Sequence, residues 1–213
     1  MPQTRLLQTQ HLFEQYLQKL RHIDGLATLA LRFILVPVFW MAGMQKLLHF
    51  NSTVEWFGNP DWGLGLPLPW LLALLATATE LIGAALLTLG LFTRLITLPL
   101  IITMLVAIAS VHWEQGWQAI ADPQAPFATE SVIASSEKLE RARDILREHG
   151  NYTWLTSSGK FVILNNGIEF AAIYLSMLLA LLFLGAGRYV SLDYWLMYWL
   201  RRKNARHTAN TAD

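Results

Sequence analysis

With 213 residues, 54% hydrophobic and only 15% charged, the chain is far more apolar than a soluble domain, which carries nearer a quarter of charged residues. A net charge of +1 provides no field that would hold nucleic acid, and the lack of any cysteine excludes thiolate catalysis, disulfide exchange and iron–sulfur ligation by this chain. Partners are therefore expected in or beside a membrane.

Residues 1–25 are polar and mixed in charge, with Leu6, Leu7, Phe13, Leu17 and Leu20 spaced to lie along a membrane surface. This predicts a cytoplasmic amphipathic segment. The first apolar stretch is too long for a signal core and is expected to stay as an anchor. A bilayer core takes about 20 apolar residues of helix, and four stretches meet that length. They run from about Leu26 to Leu48, Pro67 to Gly90, Leu95 to His112 and Ile168 to Gly187. The turn Gly90-Leu-Phe-Thr-Arg94 is so short that the second and third spans must be antiparallel neighbours. The expected fold is an all-α membrane protein with a four-transmembrane-helix bundle over residues 26–189.

The third and fourth spans enclose a long insert, about 113–167, expected to form a small external cap. Ser135 or Ser136 would cap a polar helix ending at His149 before Gly150. Tyr152 to Thr156 and Lys160 to Leu164, joined through Ser157-Ser158-Gly159, read as a β-hairpin. Residues 190–213 place Tyr194, Trp195, Tyr198 and Trp199 ahead of Arg201, Arg202 and Lys203, a pattern suited to a helix lying in the interface. Lys and Arg collect in the N-terminal segment, at Arg94 and after Arg188, while residues 51–66 carry none. The positive-inside rule then puts both termini in the cytoplasm.

An ionisable group inside a bilayer costs a few kcal/mol or more, so each needs a partner or a wet cavity. Arg32 and Lys46 are four helical turns apart on one face of the first span, with Lys46 near the external end, from which it could snorkel outward. Glu80, near the middle of the second span, shares a stripe with Ala73, Ala76, Gly83 and Ala84. Arg32, with Arg94 behind it, is the expected cation for a buried pair. A second cluster, Lys46, His112 and Glu169, is expected at the external end among Trp113 and Trp117. It could hold a polar head group or move a proton, or it could be an aromatic belt with snorkelling charges. No histidine pair has the spacing of helical metal ligands. Pro37 and Pro99 read as kinks.

Arg32 through Lys46, then Glu80-Leu-Ile-Gly83 leading to Gly90-Leu-Phe-Thr-Arg94, then His112, resemble the DoxX family of small four-helix membrane proteins. The stretch Leu184-Gly-Ala-Gly-Arg188 to Ser191-Leu-Asp193 is similar to that family's close. The matching positions are Arg32, Gly43, Lys46, Glu80, Gly83, Gly90, Arg94 and His112. The resemblance implies a bacterial or archaeal inner membrane and a link to respiratory or redox systems. Some members are the membrane subunit of thiosulfate:quinone oxidoreductase, and others assemble with oxidative-stress proteins. By that resemblance the chain would bind a quinone or lipid head group and work with a redox partner subunit, as a possible part of a quinone-linked oxidoreductase. The other reading is a non-enzymatic scaffold or chaperone subunit, with self-association as a further option. The long insert and the polar N-terminal segment depart from the family pattern.

Overall fold

The computed structural model describes residues 24–210, with side chains over residues 25–205. The amphipathic segment expected over 6–23 lies outside the described residues. Helices are α1 (Asp24–Leu48), α2 (Phe50–Gly58), α3 (Pro69–Leu89), α4 (Thr93–Ala107), α5 (Glu130–His149), α6 (Tyr152–Leu155), α7 (Glu169–Leu184) and α8 (Leu192–Asn210). A π-helical turn, Ile108–His112, and a short 3₁₀ turn, Trp113–Gln115, follow α4.

Among the described residues, three helices are long and apolar enough to cross a membrane, Gly25–Leu48, Pro69–Leu89 and Thr93–Gln115, where four were expected. The fourth stretch forms α7, an apolar helix of 16 residues, because the backbone turns at Gly185 and Gly187, both with positive φ, before the sequence stops being apolar.

The described chain forms two compact units. One takes in the residues up to Ile101 and those from Met177 onward, and the other is Ile102–Ser176. In the first unit, α1 buries one stripe, Thr28, Arg32, Leu35 and Phe39, continuing through Gly43, at the three- and four-residue spacing of a helix face. A Cβ on Gly43 would lie 2.8 Å from Leu81 Cγ, and one on Gly83 would lie 2.9 Å from Leu100 Cδ2. Glycine at those two positions lets α3 lie close to both neighbours. The turn after α3 is a Schellman cap. Gly90 has φ 62°, its N–H reaches Leu87 O at 3.2 Å, and Leu91 N–H reaches Leu86 O at 3.0 Å.

The second unit contains no β-hairpin, which corrects that expectation. Asn151 accepts a hydrogen bond from Trp154 N–H at 3.1 Å and so caps a helical turn, α6, where the first strand was expected. The extended residues after Lys160 pair elsewhere, through one antiparallel bridge between Ile120 and Leu164. The polar helix ends at His149 as expected, but it starts earlier. Thr129 is its N-cap, while Ser135 and Ser136 lie inside it and bond back to Val132 O and Ile133 O.

Candidate functional site

Glu80 lies near the middle of the 21-residue α3 and is 3% exposed. Both of its carboxylate oxygens accept hydrogen bonds from Lys46 Nζ, each at 2.8 Å. The partner is thus Lys46, not Arg32 or Arg94. The end of α1 is level with Glu80: a Cβ on Gly43 would lie 3.2 Å from Glu80 Cβ. Helix α2 lies against the start of α3, where Phe50 meets Trp70 edge-on at 6.3 Å and a Cβ on Gly58 would lie 2.9 Å from Pro69 Cγ. Lys46 does not snorkel outward. From the last turn of α1 it reaches the middle of α3, and it keeps 23% of its side chain exposed.

Arg32, fourteen positions earlier on the same face and about 21 Å away along the axis, is the second buried charge. It donates to Leu87 O at 3.0 Å and to Val190 O at 2.7 Å, and Asp193 supplies the opposite charge it feels. Its Nε is buried without a partner. Leu87 O is among the last carbonyls of α3 and also accepts from Gly90 N–H in the cap. A Cβ on Gly90 would overlap the Arg32 guanidinium, so both the φ and the space at this turn demand glycine. Arg94 donates to Phe183 O at 3.0 Å.

Residues that the sequence reading passed over complete this end. Asp193 accepts from Phe92 N–H at 2.7 Å and Thr93 N–H at 3.0 Å, capping the start of α4. Thr28 donates to Gly25 O and Ala186 O, and Ser191 to Gly187 O. The signal was present in Ser191-Leu-Asp193, a stretch that resembled the family without a stated role.

In the second unit, His112 Nδ1 lies 2.7 Å from Asn166 O. A carbonyl can only accept, so the proton is on Nδ1, and in the neutral ring Nε2 carries the lone pair. Glu169 Oε2 accepts from Ala119 N–H at 2.9 Å. Asn165 Nδ2 donates to Gln115 O and Gln118 O, both at 2.7 Å. Trp113 and Trp117 are exposed, with Trp117 edge-on to Phe127 at 6.5 Å. His112 and Glu169 thus each hold loop backbone, while Lys46 is bound to Glu80 within the other unit. Among the described residues no set of three His, Asp or Glu side chains converges to hold a metal.

These charges along α1, α3 and α4 fall within a segment that is similar to a known family. Residues 27–113 match the DoxX family model. The DoxX segment takes in Arg32, Lys46, Glu80, Arg94 and His112, and the stretch Leu184–Asp193 lies beyond it. The chain is 32% identical over 96 residues to "Inner membrane protein YphA" of Escherichia coli (strain K12), covering 45% of this chain and 64% of that protein. It is 33% identical over 86 residues to "Putative oxidoreductase CatD" of Bacillus subtilis (strain 168), covering 40% and 60%. The DoxX-like part thus spans somewhat under two thirds of each relative's length. No solved structure matches the chain.

Proposed function

We propose that this DoxX-family membrane protein binds a quinone at the Lys46–Glu80 pair and works beside a redox partner protein in a bacterial or archaeal inner membrane. The observation that carries this reading is the asymmetry of the pair, with Glu80 3% exposed and Lys46 23% exposed. A pair that only locked two helices would gain by being sealed on both sides, since a half-open ammonium at membrane depth is costly. Here Lys46 can present a hydrogen-bond donor to a quinone carbonyl while Glu80, held against it, can take up or release a proton. Reduction of a quinone to a quinol needs two electrons and two protons. The electrons would come from the partner, since the chain has no cysteine and, among its described residues, no metal set. The name of CatD supports a redox role; that of YphA supports the location. The basic residues favour cytoplasmic termini, which needs an even number of crossings, with α7 as the fourth.

The test is the quinone content of purified protein, measured by solvent extraction and mass spectrometry. Lys46→Met should abolish retention, and Lys46→Met combined with Glu80→Gln should abolish it while keeping the melting temperature close to wild type. Wild-type quinone content in the double variant would overturn the reading. His112, Glu169, Trp113 and Trp117 remain candidates for head-group contact, but His112→Phe should disturb the loop at Asn166 more than quinone content.

One observation favours a scaffold role. The polar helix α5 leaves Ile133 and Ile145 more than half exposed. If that face holds another protein, Ile133→Ser with Ile145→Ser should dissociate the native complex on a blue-native gel without changing quinone content.

A further inference from the structure

Past the end of the spanning helix Thr93–Gln115, residues 116–129 carry a single charged side chain, Asp122, and no base, whereas α5, which follows at once, is charged at nearly every second position. This apolar segment is fastened at the level of the helix ends. Gly116 O accepts from Ile168 N–H at 3.0 Å and Trp117 O from Glu169 N–H at 2.9 Å, so both carbonyls lie beside the first turn of α7. The helices that lead away from this level expose apolar side chains, Ile102, Leu105 and Val106 on one and Phe170 and Ile173 on the other.

From Trp117 the chain folds back on itself through Gln118, which is 4% exposed. Its Oε1 accepts from Asp122 N–H at 2.9 Å, and its Nε2 donates to Asp122 O at 3.0 Å and to Pro126 O at 3.5 Å. A buried amide is thus spent on holding both ends of a turn. Thr129 closes the far side on Gly116, where a Cβ would lie 2.7 Å from Thr129 Cγ2. What this clasp presents is Phe127, with φ 63°, 78% exposed and edge-on to Trp117 at 6.5 Å between ring centroids. Positive φ is unusual for so bulky a residue, and the ring gains no burial within the fold in return. Its reason lies outside the fold.

We infer that the turn carrying Phe127 is a membrane hook, its ring lodged in the headgroup–acyl boundary of the leaflet at which Thr93–Gln115 ends. Position identifies the occupant. Trp117 lies two residues past a helix that meets lipid and level with the start of α7, and the headgroup layer is about 5–8 Å deep on each side of a bilayer. A ring centred 6.5 Å from Trp117 does not clear that layer. Aromatic side chains collect at this depth, where an apolar ring leaves water while the backbone beside it keeps polar neighbours. With no base between Gly116 and Thr129, the contact is apolar and not an attraction to lipid charge.

The test uses the whole chain, which has no cysteine of its own, so a single nitroxide can be attached at a chosen position. Phe127→Cys is compared with Leu105→Cys on the lipid-facing helix and Lys138→Cys on α5, each labelled and placed in phosphatidylcholine vesicles with and without phosphatidylglycerol. Power saturation reads collisions with oxygen, which concentrates in the bilayer, and with a nickel chelate, which stays in water. The oxygen-to-nickel ratio should fall in the order 105, 127, 138 and should be the same in both lipid mixtures. A ratio at position 127 equal to that at position 138 would overturn the hook, and so would an order that appears only with phosphatidylglycerol. A label shielded from both reagents would show protein covering the turn, and would overturn the lipid assignment in favour of a partner or a second copy. Gln118→Ala should lower the ratio at position 127 towards that at 138 while leaving the ratio at 105 unchanged, which separates loss of the clasp from loss of the fold. An unchanged ratio at 127 in that variant would overturn the part given to Gln118.

Discussion

The two units put the same kinds of side chain to opposite uses. In the first, long helices already satisfy their own backbone, so Lys46 and Glu80 reach across to one another. In the second, residues 116–121 and 163–168 lie outside helices, and His112, Gln118, Asn165 and Glu169 are all taken up by backbone groups. Arg32 follows the second pattern inside the first unit, since it donates to Leu87 O at the end of α3 and to Val190 O. A buried charge thus points to chemistry where the backbone needs nothing from it, and to architecture where the backbone does.

The sharpest way to break the first unit is at the turn that Arg32 braces. Gly90→Val should prevent accumulation of folded protein, since it adds αL strain of about 1–2 kcal/mol per residue to an overlap with a guanidinium that cannot retreat. Expression and size-exclusion profile in detergent would check it, and a normal profile would remove Arg32 as the brace.

Next in size is the pair itself. Glu80→Ala should cost about 3–5 kcal/mol by stranding Lys46, whereas Glu80→Leu with Lys46→Met should cost far less. Denaturant unfolding in micelles reads the difference. Equal losses would mean that the two groups are not coupled.

In the second unit the corresponding losses should be smaller and local. Asn165→Ala leaves the Gln115 and Gln118 carbonyls without their donor, at about 1–3 kcal/mol. Hydrogen exchange should rise around residues 115–121 with little change in α1 and α3. Smallest is Thr129→Ala, which removes a cap bond of 3.4 Å and should cost about 1 kcal/mol or less, seen as fraying at the start of α5.

The apolar runs made α1, α3 and the span Thr93–Gln115 legible in the sequence to within two or three residues, because length and hydropathy in a bilayer are nearly sufficient. The common face of Arg32 and Lys46 was legible as well, since helical periodicity fixes it. Which cation meets Glu80 was not. That depends on how far two helices slide past one another, and helical periodicity fixes a face but not the slide. Tyr152–Leu155 misled for a related reason: its aromatic and β-branched residues favour a strand, but the side chain of Asn151 decides the matter locally. Asp193 shows the converse, a capping role that becomes visible only when residues a hundred positions apart meet.

The shortness of α7 bears on the lipid around the protein. Its 16 residues rise about 24 Å, some 6 Å short of an ordinary hydrocarbon layer, whereas the 25 residues of α1 exceed it. As a fourth crossing it would draw the leaflets together along one flank while α1 accommodates the same bilayer by tilting. Such a lopsided dimple costs fractions of a kcal/mol per ångström, and two copies could share it by setting their α7 flanks side by side. Bilayer thickness would then act on this protein as a force favouring company, strongest in thick membranes and fading as acyl chains shorten.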